Sequence, residues 1–202
     1  MSKKIIIIGG GGHARVLLDI IQLNSCEVAG YLDAEEKENM KISYLGKDDK
    51  IMEYAPDTVA LVNGIGSVKR TEKRQQIFEK FKGIGYHFHA VIHPQAILSK
   101  DIQLGEGVQV IAGVVINVGA KIGDNVIINT RASIDHDCVV GAHTHIAPGV
   151  AVSGCVSIGQ GCHVGTGVNI IQGIVLGDGV LVAAGETIRT NQPNGATVFS
   201  KG

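Results

Sequence analysis

Cut in sixes, residues 91–192 read VIHPQA ILSKDI QLGEGV QVIAGV VINVGA KIGDNV IINTRA SIDHDC VVGAHT HIAPGV AVSGCV SIGQGC HVGTGV NIIQGI VLGDGV LVAAGE TIRTNQ. The second position of all seventeen hexads is a branched aliphatic, from Ile92 and Leu98 through Ile134 and Val140 to Val182 and Ile188. The sixth position is small or β-branched in most hexads. It lies two residues before the next second position, so both point to one side of an extended segment. The fifth position is Gly nine times and Asn at 125 and 191, residue types that accept positive φ in a turn. A second period of eighteen (Gly105, Gly123, Gly141, Gly159, Gly177) groups three hexads into one coil. Hexads held in phase over this length predict a parallel β-helix, a three-faced prism of five to six coils. At about 4.8 Å per coil it is roughly 27 Å long.

At 202 residues the chain has room for a second, smaller unit before residue 90. Lys3-Lys4 leads into the aliphatic run Ile5–Ile8, which reads as a buried parallel strand. It ends in Gly9-Gly10-Gly11-Gly12-His13-Ala14, after which a helix is expected with Val16, Leu17, Ile20 and Ile21 on its buried side. Val28–Leu32 is a second strand closing on Asp33, and an acidic loop follows over 34–41. A third strand, Thr58–Val62, ends in Asn63-Gly64-Ile65-Gly66-Ser67. A helix from about Val68 to Lys82 carries Arg70, Lys73 and Arg74, and His87–Ile92 reads as a last strand. Strand, glycine turn, helix, strand and acid make half of a dinucleotide-type fold, and Gly9-x-Gly11-x-x-Ala14 fits the loose fingerprint. One half is too small for a whole dinucleotide site. What the loop offers is close backbone approach and helix N-terminal amides, which suit phosphate, although a glycine turn that only packs helix on strand is the plainer alternative.

Eighteen basic and nineteen acidic residues with no basic run make nucleic acid and anionic membranes poor partners. Ile5–Ile8 is too short for a membrane span. Cys26, Cys138, Cys155 and Cys162 have no CxxC spacing and read as free thiols of a reducing cytoplasm.

The prism breaks its own pattern in one place, where Arg131, Asp137, His143 and Cys155 stand at fifth positions. The break surrounds His136, a fourth-position residue pointing away from the filled interior with Asp135 and Asp137 beside it. A carboxylate there can hold the imidazole and raise its pKa, which makes His136 a candidate general base. His145 and His163, eighteen residues apart, share a face. The ordinary reading of His143 and His163 is that of surface histidines.

Ile7–Ala14, Ile92-His93-Pro94, Ile134–Gly141 and His145–Gly149 together resemble bacterial sugar O/N-acyltransferases of the sialic-acid O-acetyltransferase family, most of all the nucleotide-aminosugar N-acetyltransferases. The resemblance spans nearly the whole chain. It implies a Rossmann-like α/β half-domain over residues 1–90 that binds the nucleotide sugar, then a left-handed β-helix over 91–202 that carries acetyl transfer. It further implies a cytoplasmic homotrimer with acetyl-CoA in the groove between two prisms, so that each site draws on two chains. His136 would be the base and Asp137, where relatives often have Glu, would tune it through another rotamer or a water. His145 and Asn129 would meet acetyl-CoA; Gly12, His13 and Ala14 phosphate or ribose; Asp33 the base or ribose; and Gly66 the rim. Ala34 replaces an acid that relatives pair with Asp33, and Val198-Phe199-Ser200-Lys201-Gly202 stands where relatives have Gly-x-Pro-Ala-Lys, which shortens the expected wall of the coenzyme groove. The implied reaction is N-acetylation of a nucleotide-linked amino sugar, such as a UDP-4-amino-4,6-dideoxy sugar, for surface glycan synthesis. O-acetylation of a sugar of the sialic acid type and a non-catalytic nucleotide-sugar scaffold are the alternatives. Some trimeric prisms are zinc hydratases, but His136, His143, His145 and His163 lack the close pairing of that ligand set, and no metal is expected.

Overall fold

The computed structural model describes residues 3–68 and 71–199. β1 (Lys4–Ile8) lies between β2 (Val28–Leu32) and β3 (Val59–Asn63) in a parallel sheet. Ile5–Ile8 are buried because both faces of that central strand are covered. α1 (Gly12–Leu23) covers one face through Ala14, Leu17, Ile20 and Ile21. α2 (Glu72–Gly83) brings Phe78 and Phe81 against Ile6, Ile8 and Leu61 on the other. Val16, expected on the buried side of α1, is exposed. The second helix begins four residues later than its hydrophobic pattern suggests, and Arg70 lies outside the described residues. The expected strand His87–Ile92 is not formed. Phe88 makes one isolated bridge to Leu61, and Val91–Ile92 pairs instead with Gln109–Val110, because the first coil claims its backbone.

From Val91 onward two-residue strands recur every six residues to Thr187–Ile188, and a last one spans Thr197–Val198. They form three parallel sheets of seven, six and five strands, with partners eighteen residues apart, as in Ile127 with His145. This is a left-handed β-helix of about six coils. Second- and sixth-position side chains from Val108 to Ile188 fill one continuous core. The eighteen-residue glycine column has a steric cause: a Cβ on Gly123 would come within 2.6 Å of the Ala142 amide nitrogen, and one on Gly141 within 2.5 Å of that of Gln160. Where glycine lapses in the body of the prism the conformation persists, with φ of 56–64° at Asn125, Arg131, Asp137, His143 and Cys155, whereas Gln95 and Asp101 in the first coil do not adopt it. Asn191 does not continue this series. Leu181 pairs with Thr197, sixteen residues on, and Gly195 takes the left-handed corner.

The amino-terminal unit sits on the seven-stranded face. His143 is buried there, edge-on to Phe78, and its Nδ1 lies 3.0 Å from Asn125 Nδ2. His163 is buried too, so neither is a surface histidine. Arg74 is the main strut of this contact: fully buried, it donates to the carbonyls of Asn63, Ile65 and Asn125. Burial without a carboxylate partner lowers its pKa to about 9, which still leaves it a cation at neutral pH.

Candidate active site

A cavity of about 590 Å³ opens between the glycine loop, the strand end Gly64–Ser67 and the prism corner at Asn129-Thr130. Gly9, Gly10 and Gly64 are required by packing, since a Cβ on each would come within 3 Å of Ile65, Tyr31 or Ala14. Nothing lies within 4 Å of a Cβ on Gly11 or Gly12, both of which line the cavity. Packing alone therefore does not account for the loop. Helix α1 opens here with no side-chain cap and no acid in its first turn, leaving its first amides free for an anion. Ala14 is different: its side chain is wholly buried, packs under Gly64 and does not line the cavity. Asp33 lines the outer end, where its carboxylate also accepts from the amides of Gly10 at 2.8 Å and Ala34 at 2.6 Å. A second cleft of about 440 Å³ shares Asp33 and contains Ala34, Lys47 and Lys80.

At the prism end stand His13, His145 and Asn129. Gly66 leaves room for His13, whose Cβ would be 3.1 Å from a Cβ at that position. His145 Nδ1 lies 2.8 Å from the Ser67 hydroxyl and 3.0 Å from the Ser67 carbonyl, which only accepts. Because the Thr130 amide holds Asn129 with its Nδ2 toward the other ring nitrogen, Nδ1 carries the proton and donates. Its Nε2 lone pair then accepts from Asn129 Nδ2 at 3.2 Å. Burial first, then the neighbouring His163, His13 and Arg74, lower the His145 pKa to about 3, so the ring is neutral. The Thr130 amide fixes Oδ1 of Asn129, which turns the remaining Nδ2–H into a spare donor.

His136 and Asp137 occupy a different place. They sit at the corner joining the six- and five-stranded faces, the vertex opposite the face that carries the amino-terminal unit. Asp137 Oδ2 is 2.9 Å from His136 Nδ1, a direct contact that needs neither water nor the longer Glu. The left-handed φ of 58° at Asp137 aims its side chain along the corner, and Gly119 makes room for it. Asp135 accepts from the His136 amide and from Asn117 rather than from the imidazole. The Asp137 bond, reinforced by the charges of Asp135 and Asp137, raises the His136 pKa against some desolvation. Gly154 lies against the ring: a Cβ there would collide with Nε2. Among the described residues, His136, Asp137 and Cys155 can offer ligand atoms within 4.8 Å of one another. Of the histidines weighed for zinc, His145 and His163 are neighbours on one face with ring centroids 5.0 Å apart, while His136 stands at the opposite vertex.

One chain thus gathers Gly12, His13, Asp33, Gly66, Asn129 and His145, and leaves His136 and Asp137 apart. Sequence reasoning passed over Ser67, Lys73, Gln109, Thr130 and Gly154. Only the first position of the seven-stranded face carried a cue, since Gln109, His145 and His163 are polar where Val91, Ile127 and Leu181 are apolar.

Residues 4–81 match the family model of the PglD N-terminal domain, and residues 119–154 that of the bacterial transferase hexapeptide (six repeats). The UDP-N-acetylbacillosamine N-acetyltransferase of Bacillus subtilis (strain 168) is 35% identical over 117 residues, 54% of this chain and 52% of that protein, so the chain spans about half the length of the curated relative it matches. PerB from Caulobacter crescentus, solved with CoA and GDP-perosamine, is 34% identical with a TM-score of 0.90, covering 98% of this chain and 94% of that one. The acetyltransferase domain of PglB from Neisseria gonorrhoeae FA1090, solved with acetyl coenzyme A, is 30% identical with a TM-score of 0.92, covering 98% and 96%. Fold, glycine loop and prism corner therefore have a common explanation: the chain belongs to the hexapeptide-repeat sugar acetyltransferases that carry a PglD-type amino-terminal domain.

Proposed function

We propose that the chain transfers the acetyl group of acetyl-CoA to the amine of a nucleotide-linked amino sugar. The observation that carries this reading is the 590 Å³ cavity, in which uncapped helix amides suited to a diphosphate stand beside neutral histidines and a spare amide donor suited to a reacting sugar. We assign residues 1–90 to sugar-nucleotide binding and 91–202 to acetyl transfer. The nucleotide runs outward past Asp33, and its sugar reaches the prism at His13 and Asn129. A second chain supplies His136 to this cavity within a trimer, which answers the separation of base and pocket in one chain.

As the amine nitrogen attacks the thioester carbon, His136 accepts the proton the amine loses, and Asp137 stabilises the imidazolium that forms. The carbonyl oxygen becomes an oxyanion, for which Asn129 Nδ2–H is a preorganised donor held by His145 and Thr130. Collapse of the intermediate expels the CoA thiolate and leaves the amide. A panel of nucleotide amino sugars and their hydroxyl counterparts, incubated with acetyl-CoA and read by product mass, tests the reading. N-acetyl product from an amino sugar supports it; acetylation of hydroxyl acceptors only, or of none, overturns it.

A further inference from the structure

His13 is held from the far side of the domain boundary. Its Nε2 lies 2.7 Å from Oε1 of Gln109, a prism residue ninety-six positions away. The Gln109 amide cannot be turned round, because its Nε2 donates at 2.8 Å to the Asn63 carbonyl, which only accepts. Oε1 therefore faces His13, and the nitrogen opposite it must bear the hydrogen. Gln109 is 1% exposed and Asn63 is equally buried, so water does not compete for either bond. Burial and the Arg74 charge lower the His13 pKa to about 4, outweighing the Gln109 bond, so the ring carries one proton. Nδ1 has no partner among the described residues, is not sealed from solvent, and belongs to a residue lining the cavity.

We propose that Gln109 is a positioning residue that holds His13 as the Nε2–H tautomer, so that Nδ1 presents a lone pair to the acceptor sugar. That atom then accepts from an N–H or O–H of the sugar, and it repels phosphate oxygens, which leaves the diphosphate to the loop amides. The inference rests on the cavity being the acceptor site and narrows what His13 reads there: the sugar, not phosphate or ribose.

The test begins with the unliganded protein, labelled with ¹⁵N-histidine, in a long-range proton–nitrogen correlation spectrum. In the wild type His13 should show a protonated Nε2 and a bare Nδ1. Gln109→Met removes the acceptor and should give mixed tautomers; Gln109→Glu keeps an acceptor but invites a second proton. Across the three proteins KM for the nucleotide amino sugar should follow Nδ1, rising about tenfold where Nδ1 becomes protonated, as expected for losing one hydrogen bond. KM for acetyl-CoA, and the affinity of the nucleoside diphosphate lacking the sugar, should stay within twofold. A protonated Nδ1 in the wild type overturns the proposal even if neither variant folds. So does an unchanged sugar KM in a variant whose tautomer has changed, or an equal loss for the bare nucleoside diphosphate, which would place His13 on the nucleotide. Absence of any acetyl transfer by the wild type would instead sink the functional reading, and leave the tautomer measurement intact.

Discussion

His136 is half exposed, so its behaviour rests on the carboxylates beside it, Asp137 before Asp135, and not on a buried network. In the proposed role of base it works only when neutral. Its raised pKa therefore places the ascending limb of the pH–rate profile above the ordinary histidine range. Asp137→Asn removes the carboxylate that favours the imidazolium, so the limb should move to lower pH; a limb that stays in place in that variant would assign it to another group. His136→Ala should lower turnover by about 10²–10⁴, with KM for acetyl-CoA little changed, in steady-state kinetics. Gly154 matters at the same scale. Gly154→Ala drives a methyl into the imidazole and should cost roughly tenfold to a hundredfold in turnover by misplacing the base. A correctly folded Gly154→Ala enzyme of normal rate would show that the ring need not lie where it does.

Among elements, the join between helix α2 and the prism depends on Arg74 and His143, not on an apolar face alone. Replacing Arg74 with Met strands the carbonyls of Ile65 and Asn125, while the Asn63 carbonyl keeps Gln109 Nε2, and should destabilise the protein by about 3 kcal/mol. In a protein of this size that is roughly 6–12 °C in Tm, readable by calorimetry. An unchanged Tm would mean that water satisfies those carbonyls. The hexads, by contrast, are locally redundant. Each coil repeats the same corner, so Arg131, Asp137 and Cys155 adopt the left-handed turn that glycine takes elsewhere, at a strain the neighbouring coils absorb.

For the whole molecule, the vertex that carries His136 faces away from the cavity of its own chain. Light scattering in dilute buffer should give close to three times the 21.2 kDa chain mass. Complementation is the sharper measurement. Gly12→Asp places a carboxylate in open cavity space and should abolish sugar-nucleotide binding, while His136→Ala removes the proposed base. If sites are shared, refolding equal amounts of the two inactive chains together should restore about a quarter of wild-type activity, the chance that an intact cavity meets an intact base across one interface of a closed ring. No recovery from the mixture would place the complete site within one chain.

The prism was legible residue by residue because each hexad states the same local rule, and phase over seventeen repeats leaves one way to bury the second positions. The glycine column and the left-handed corners follow from backbone sterics that a single strand of text records. His136 with Asp137 could be read for the same reason, as neighbours at a break in a regular pattern. The fate of His87–Ile92 could not, since a strand-like run does not say which of two sheets will claim it. Nor could Gln109 be paired with His13, Asn63 with Arg74, or Asn129 with His145. The first of these joins residues brought together only when the α/β unit docks on one face of the prism, the second depends on how α2 packs on β3, and the third on the stacking of successive coils. Buried polar groups must find partners wherever the fold puts them, so the protonation of His13 and His145 is a property of the tertiary structure.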